Sequence, residues 1–165
     1  MRALNFLLFF AVFMLSLNTI ASAEDYKLGD LEIVDPWGHA PLKGTDVAEG
    51  FLKIVNHGAT ADRLVAVTVD FAKTAQIHEM KMNGTTMQMA ELKDGLEIPA
   101  GATVELKPQS THLMFMGLSR RPAANEKVPG ELTFEKAGKL KVEFVIEPAG
   151  ASMPMNMDNM NMNAN

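Results

Sequence analysis

Methionine and histidine fall in this chain at spacings that let their side chains converge. His78, Met80, Met82, Met87 and Met89 crowd one short segment, and His112, Met114 and Met116 another. Met153, Met155, Met157, Met160 and Met162 end the chain, and no cysteine occurs among its 165 residues. Imidazole and thioether hold reduced copper when thiolate is absent, because soft Cu(I) prefers sulfur and accepts imidazole nitrogen. The clustering points to copper handling. Zinc fingers, iron–sulfur sites and blue-copper centres all require Cys and are excluded.

The elements that must position these donors are strands. Leu140, Val142, Phe144 and Ile146 alternate with Lys141, Glu143 and Glu147, the period of two of a half-buried strand. Similar runs occupy 28–34, 50–55, 64–69, 75–82, 86–92, 102–106, 112–118 and 131–135, separated by turn signals such as Asp94-Gly95, Pro99-Ala100-Gly101 and Ala137-Gly138. Asn83-Gly84 predicts a hairpin with those two residues at the centre of a type I′ turn. No segment sustains a helical period. The expected fold is all-β, a Greek-key barrel or sandwich of about eight or nine strands.

Alternation places His78, Met80 and Met82 on one face of a strand, Met87 and Met89 on one face of the next, and His112, Met114 and Met116 on one face of a third. Methionine is also a common core filler, and Met82 and Met116 are read as packing. His39, after Pro36-Trp37-Gly38, and His57, within Asn56-His57-Gly58, lack Met neighbours and read as loop histidines. The run His78-Glu79-Met80-Lys81-Met82 has no second His and is no zinc-protease motif. No Ser-His-Asp constellation or Gly-rich phosphate loop stands out, so an enzyme is not expected.

The first residues read as a secretory signal. Arg2 gives the basic start, Leu4 to Ile20 is apolar, and Ala21-Ser22-Ala23 is a small-residue cleavage site followed by Glu24 and Asp25. The expected organisation is a signal peptide over 1–23, one domain over 24–148 and a disordered Met/Asn-rich tail over 149–165. The exported chain would be periplasmic, with no stable membrane insertion after cleavage. With a formal net charge of −5 before Arg2 is lost, it is not expected to bind nucleic acid.

His78-Glu79-Met80, Met89, Ile98-Pro99-Ala100-Gly101, and His112-Leu113-Met114 with Met116-Gly117-Leu118 together resemble the PCu(A)C periplasmic copper chaperones. The resemblance extends upstream to Pro36-Trp37 and to Asn56-His57-Gly58 followed by Asp62-Arg63-Leu64. It spans about residues 31 to 146. It implies a cupredoxin-like β-barrel that binds one Cu(I) through two His and two Met, which motif matching places at His78, Met89, His112 and Met114. The family pattern as usually written puts the middle Met where this chain has Ala90. Met89 is the nearest donor, with Met87 on the same face as an auxiliary one.

The resemblance further implies delivery of copper to a partner, either the dinuclear copper site of cytochrome c oxidase or a thiol-bearing copper chaperone. The alternative is an exported sequestering or resistance protein that stores copper. The tail methionines Met153, Met155, Met157, Met160 and Met162 resemble the Met-rich motifs of exported copper-handling proteins. They are expected to form an auxiliary site for a second copper, favouring Cu(I) because the tail has no His.

Overall fold

The computed structural model describes residues 26–150, and every regular element among them is a β-strand. The expected signal peptide and the five tail methionines lie outside the described residues. The strands are β1 Tyr26–Leu28, β2 Leu31–His39, β3 Val47–Asn56, β4 Asp62–Val69, β5 Ala72–Asn83, β6 Thr86–Glu91, β7 Leu96–Ile98, β8 Thr103–Leu106, β9 His112–Leu118, β10 Lys127–Phe134 and β11 Gly138–Glu147.

They form one sheet in the order β6-β5-β9-β3-β2-β11-β10-β4-β7, with β1 added on β2 and β8 on β3. All pairings are antiparallel except β11 with β2. Consecutive strands β4 and β5 sit in separate parts of this path, the long-range crossing that a Greek key requires. The path does not close, and β6 and β7 are its two ends. The all-β expectation holds, with eleven strands where eight or nine were expected. The two extra strands, β1 and β7, have three residues each. That is too short for an alternating pattern to register.

The core fills the space between the two halves of the folded sheet. Ile77, Leu113 and Phe115 come from β5 and β9, while Leu64, Leu132, Phe134, Val142 and Phe144 come from the β4, β10 and β11 side. The rings of Phe115 and Phe144 meet edge to face across it, with centroids 5.8 Å apart. Gly50 on β3 is required here, because a Cβ at that position would lie 2.5 Å from the Phe115 ring. Away from the donor segments, the buried Asp62 carboxylate accepts from the backbone N–H groups of Arg63, Lys136 and Ala137 at 2.7, 3.0 and 2.9 Å. Burial alone would raise its pKa, but these three donors outweigh that and hold it below the usual aspartate value.

The turn of the β5–β6 hairpin is centred one residue later than expected. Asn83 pairs with Thr86, so the two central turn residues are Gly84 and Thr85 rather than Asn83 and Gly84. Gly84 carries the positive φ, 64°, at the first central position, which is where a type II′ turn needs glycine. This shift decides which methionines face one another.

Candidate metal centre

Strand β5 turns Ile77 into the core, so alternation puts Gln76, His78, Met80 and Met82 on its opposite face. Strand β9 buries Leu113 and Phe115 and leaves His112, Met114 and Met116 on that same opposite face. The register arranges them in rows. Gln76 faces Met114, and in the next row His78 lies between His112 on β9 and Glu91 on β6. Met80 then faces Met89, and Met82 faces Met87. Direct cross-strand neighbours have Cβ atoms about 5 Å apart, and successive rows are separated by about 7 Å.

The two imidazoles are therefore direct cross-strand partners, their ring centroids 5.9 Å apart and their planes at 63°. Each ring has one nitrogen engaged and one left over. His78 Nε2 lies 2.8 Å from the Gln76 side-chain oxygen, and His112 Nδ1 lies 3.0 Å from the Ser110 carbonyl. Both partners are acceptors, so those two nitrogens carry the protons. The other two, His78 Nδ1 and His112 Nε2, are buried without a hydrogen-bond partner. Burial first, and then the neighbouring His112, lower the pKa of His78, with Glu91 opposing. A neutral ring with its lone pair on Nδ1 follows. Two buried lone pairs on facing residues are costly unless something electrophilic accepts them. A soft metal ion fits that requirement.

Among the described residues, no three His, Cys, Asp or Glu side chains converge as a metal site. A metal ion at this pair must complete its shell with thioether. Met114 lies one row from the imidazoles on one side, and Met80 and Met89 one row away on the other. Met87 is a further row removed. Ala90 pairs with Glu79, which alternation places on the reverse face of the hairpin. Of the two middle donors that the sequence leaves open, Met89 is the nearer to the histidines.

Other expectations are corrected. Met82 is 62% exposed and packs no core, because it lies beyond the reach of the other sheet half near the hairpin tip. Met116 is half-buried on the His face rather than in the core cluster. His39 is no loop residue: it ends β2, stacks edge-on against Trp37 and Phe51, and approaches Glu49 at 3.8 Å. His57 does lie in the turn after β3, its Nε2 2.6 Å from a Glu32 carboxylate oxygen.

The sequence reading missed Gln76, Ser110 and Glu91. Gln76 was detectable only as a polar residue two positions before His78, a weak signal in any strand. Beside Met114 opens a cavity of about 380 Å³ lined by His39, Leu42, Val47, Glu49 and Gly150. Gly150, the last described residue, thus lines the same cavity as Met114.

Residues 31–146 match the family described as "Putative lipoprotein LpqE-like". The "Putative lipoprotein Lxx21020" of Leifsonia xyli subsp. xyli (strain CTCB07) is 33% identical over 104 residues, covering 63% of this chain and 61% of that protein. The chain thus spans about three-fifths of the length of this curated relative. Among solved structures, the copper-bound PCuAC domain from PmoF2 is similar at a TM-score of 0.65 and 25% identity, over 76% of this chain and 98% of that one. The apo PCuAC domain from PmoF1 is similar at 0.65 and 26%, over 76% and 99%. The Cu(I) form of DR1885 from Deinococcus radiodurans shares the fold at a TM-score of 0.57 and 21% identity, over 77% and 83%.

Proposed function

Because this chain belongs to the LpqE-like family, which is of the PCuAC type, we propose that it is an exported copper chaperone, a binding protein rather than an enzyme. It binds Cu(I) through His78 Nδ1 and His112 Nε2, with the Met89 and Met114 sulfurs completing the shell. The observation that carries this reading is the pair of buried, unpartnered ring nitrogens on directly facing residues. Cu(I) tolerates such a mixed nitrogen and thioether set, whereas Cu(II) prefers more nitrogen and oxygen.

Copper is cargo in this reading. Thioethers are neutral, weak donors, so a partner's thiolates displace them one at a time and draw the ion away as Cu(I). By analogy with the PCuAC chaperones, the acceptor is the dinuclear copper site of cytochrome c oxidase or a thiol-bearing chaperone that serves it. Residues 1–23 direct export to the periplasm and are removed, and 24–148 form the working domain. The 165 residues contain no cysteine to which a lipid could be attached. The tail methionines Met153, Met155, Met157, Met160 and Met162 hold a second Cu(I).

Anaerobic Cu(I) titration against a chromophoric competitor tests the reading. One tight, transferable copper that is lost in His78→Ala and His112→Ala is expected. Unchanged affinity in both variants would overturn it. Several coppers retained against a thiol-bearing acceptor would favour storage instead.

A further inference from the structure

Three thioethers beyond the ligand set of the proposed centre have no packing role that the fold explains. Met82 and Met87 are 62% and 50% exposed, and Met80 is half-buried. All lie on the His face, because the Gly84-Thr85 turn puts Met82 opposite Met87 and Met80 opposite Met89. Exposed thioethers at alternate positions on both strands of one hairpin form a row of soft donors that ends at His78. Among the described residues, the exposed large hydrophobic side chains are Met82, Met87 and the neighbouring Met89, together with Leu42, Val47 and Val65. Apolar exposure of this kind marks a binding surface.

We propose that Met80, Met82 and Met87 form a second, thioether-only site for Cu(I) at the tip of the β5–β6 hairpin. This proposal rests on the reading of His78 and His112 as the principal copper site. Direct cross-strand partners bring the Met82 and Met87 sulfurs within reach of one ion, and Met80, one row nearer the histidines, supplies the third. Three neutral sulfurs suit Cu(I) and offer little to Cu(II) or to hard cations. The site is weaker than the principal one because it has no imidazole and stands open to water.

Its position gives it a use. The Met82–Met87 row is two rows, about 14 Å, from the histidine row, and Met80 and Met89 occupy the row between. Cu(I) moves along by exchange of one thioether for the next, with no change in oxidation state and no proton released. Glu91 in the histidine row adds negative charge at the end of the path. The only lysine between Met80 and Met82 is Lys81, which pairs with Glu79 at 2.7 Å.

The test uses the full chain with its five tail methionines changed to leucine, labelled with 13C at the methionine methyls and titrated with Ag(I), a redox-inert stand-in for Cu(I). The first equivalent is expected to shift the Met89 and Met114 methyls and the His78 and His112 ring signals. The second is expected to shift Met82, Met87 and Met80, and to bind at least tenfold more weakly in the Met82→Leu/Met87→Leu variant while the first is unaffected. Met82 and Met87 methyls that stay in place through two equivalents would overturn the proposal, as would a second ion held equally tightly by the variant. Histidine signals that ignore the first equivalent would instead overturn the principal site. The two failures are therefore distinguishable.

Discussion

Gln76 makes two connections at once: its side-chain oxygen lies 2.8 Å from His78 Nε2, and across the strands it faces Met114. The first contact keeps the proton on Nε2 and leaves the Nδ1 lone pair unpartnered, available to the proposed copper. Orienting partners of this kind are worth about 10–100-fold in metal affinity. Gln76→Leu should therefore weaken Cu(I) binding by about that factor without unfolding the domain. In the apo-protein, long-range 1H–15N correlation should show His78 protonated at Nε2 and His112 at Nδ1. The reverse tautomers would contradict the assignment.

The hairpin register ranks the middle donors. Met89→Leu should cost Cu(I) affinity at the principal site, whereas Met87→Leu should leave that first equivalent almost unchanged. Competition titrations on the two variants side by side measure the difference. Equal losses would mean that the hairpin rearranges when metal binds.

His78 also sets a pH dependence. Its native pKa lies below the ordinary value of 6.5, first through burial and then through the charge that His112 can carry, with Glu91 opposing. An unfolded chain takes up this proton near pH 6.5, whereas the folded chain resists it. The apo-protein should therefore lose stability as pH falls from about 6.5 toward the lowered native value, and the loss should level off below that. Thermal melts across this range should be flatter for His78→Gln. Cu(I) competes with the proton at His78 only once pH reaches the lowered value, so proton competition there should appear below 6.5.

Gly50→Ala tests how the scaffold supports the site. The added methyl would meet Phe115 at 2.5 Å, and that ring is buried between Phe71 and Phe144 with little room to move. Overpacking of this kind costs about 1–3 kcal/mol. The melting temperature should fall, and Cu(I) affinity with it, because Phe115 and Met114 are adjacent on β9. A full-stability variant would show that the sheet halves can separate locally.

Much of this was legible in the residues. Alternation marks the nine longer strands because each must bury one face, as in Leu140 to Ile146. The His-x-Met spacings put the donors on common faces before any register is known. Strands of three residues leave no such trace, so β1 and β7 escaped. The hairpin register depended on which residue took positive φ: Asn83-Gly84 and Gly84-Thr85 are both acceptable centres, and moving the centre by one residue shifts every cross-strand partner by two, from Met87 to Met89 opposite Met80. Gln76 and Ser110 act through geometry, and nothing in their spacing marks them. Met82 read as core because methionine usually packs, but the hairpin tip extends past anything it could pack against.

The position of β6 at the end of the sheet separates grip from release. His78, His112 and Met114 sit on strands hydrogen-bonded on both sides, whereas Met89 sits on a strand held by β5 alone. Edge strands fray at a small fraction of the free energy needed for global unfolding. The three donors on internal strands should therefore set how tightly copper is held, and local opening of β6 should set how fast it leaves. In the proposed transfer, an acceptor need not pull the ion out of a rigid cage. It can wait for the loose edge to lift, occupy the vacated coordination position, and take the ion while the imidazoles still hold their orientation for the next one.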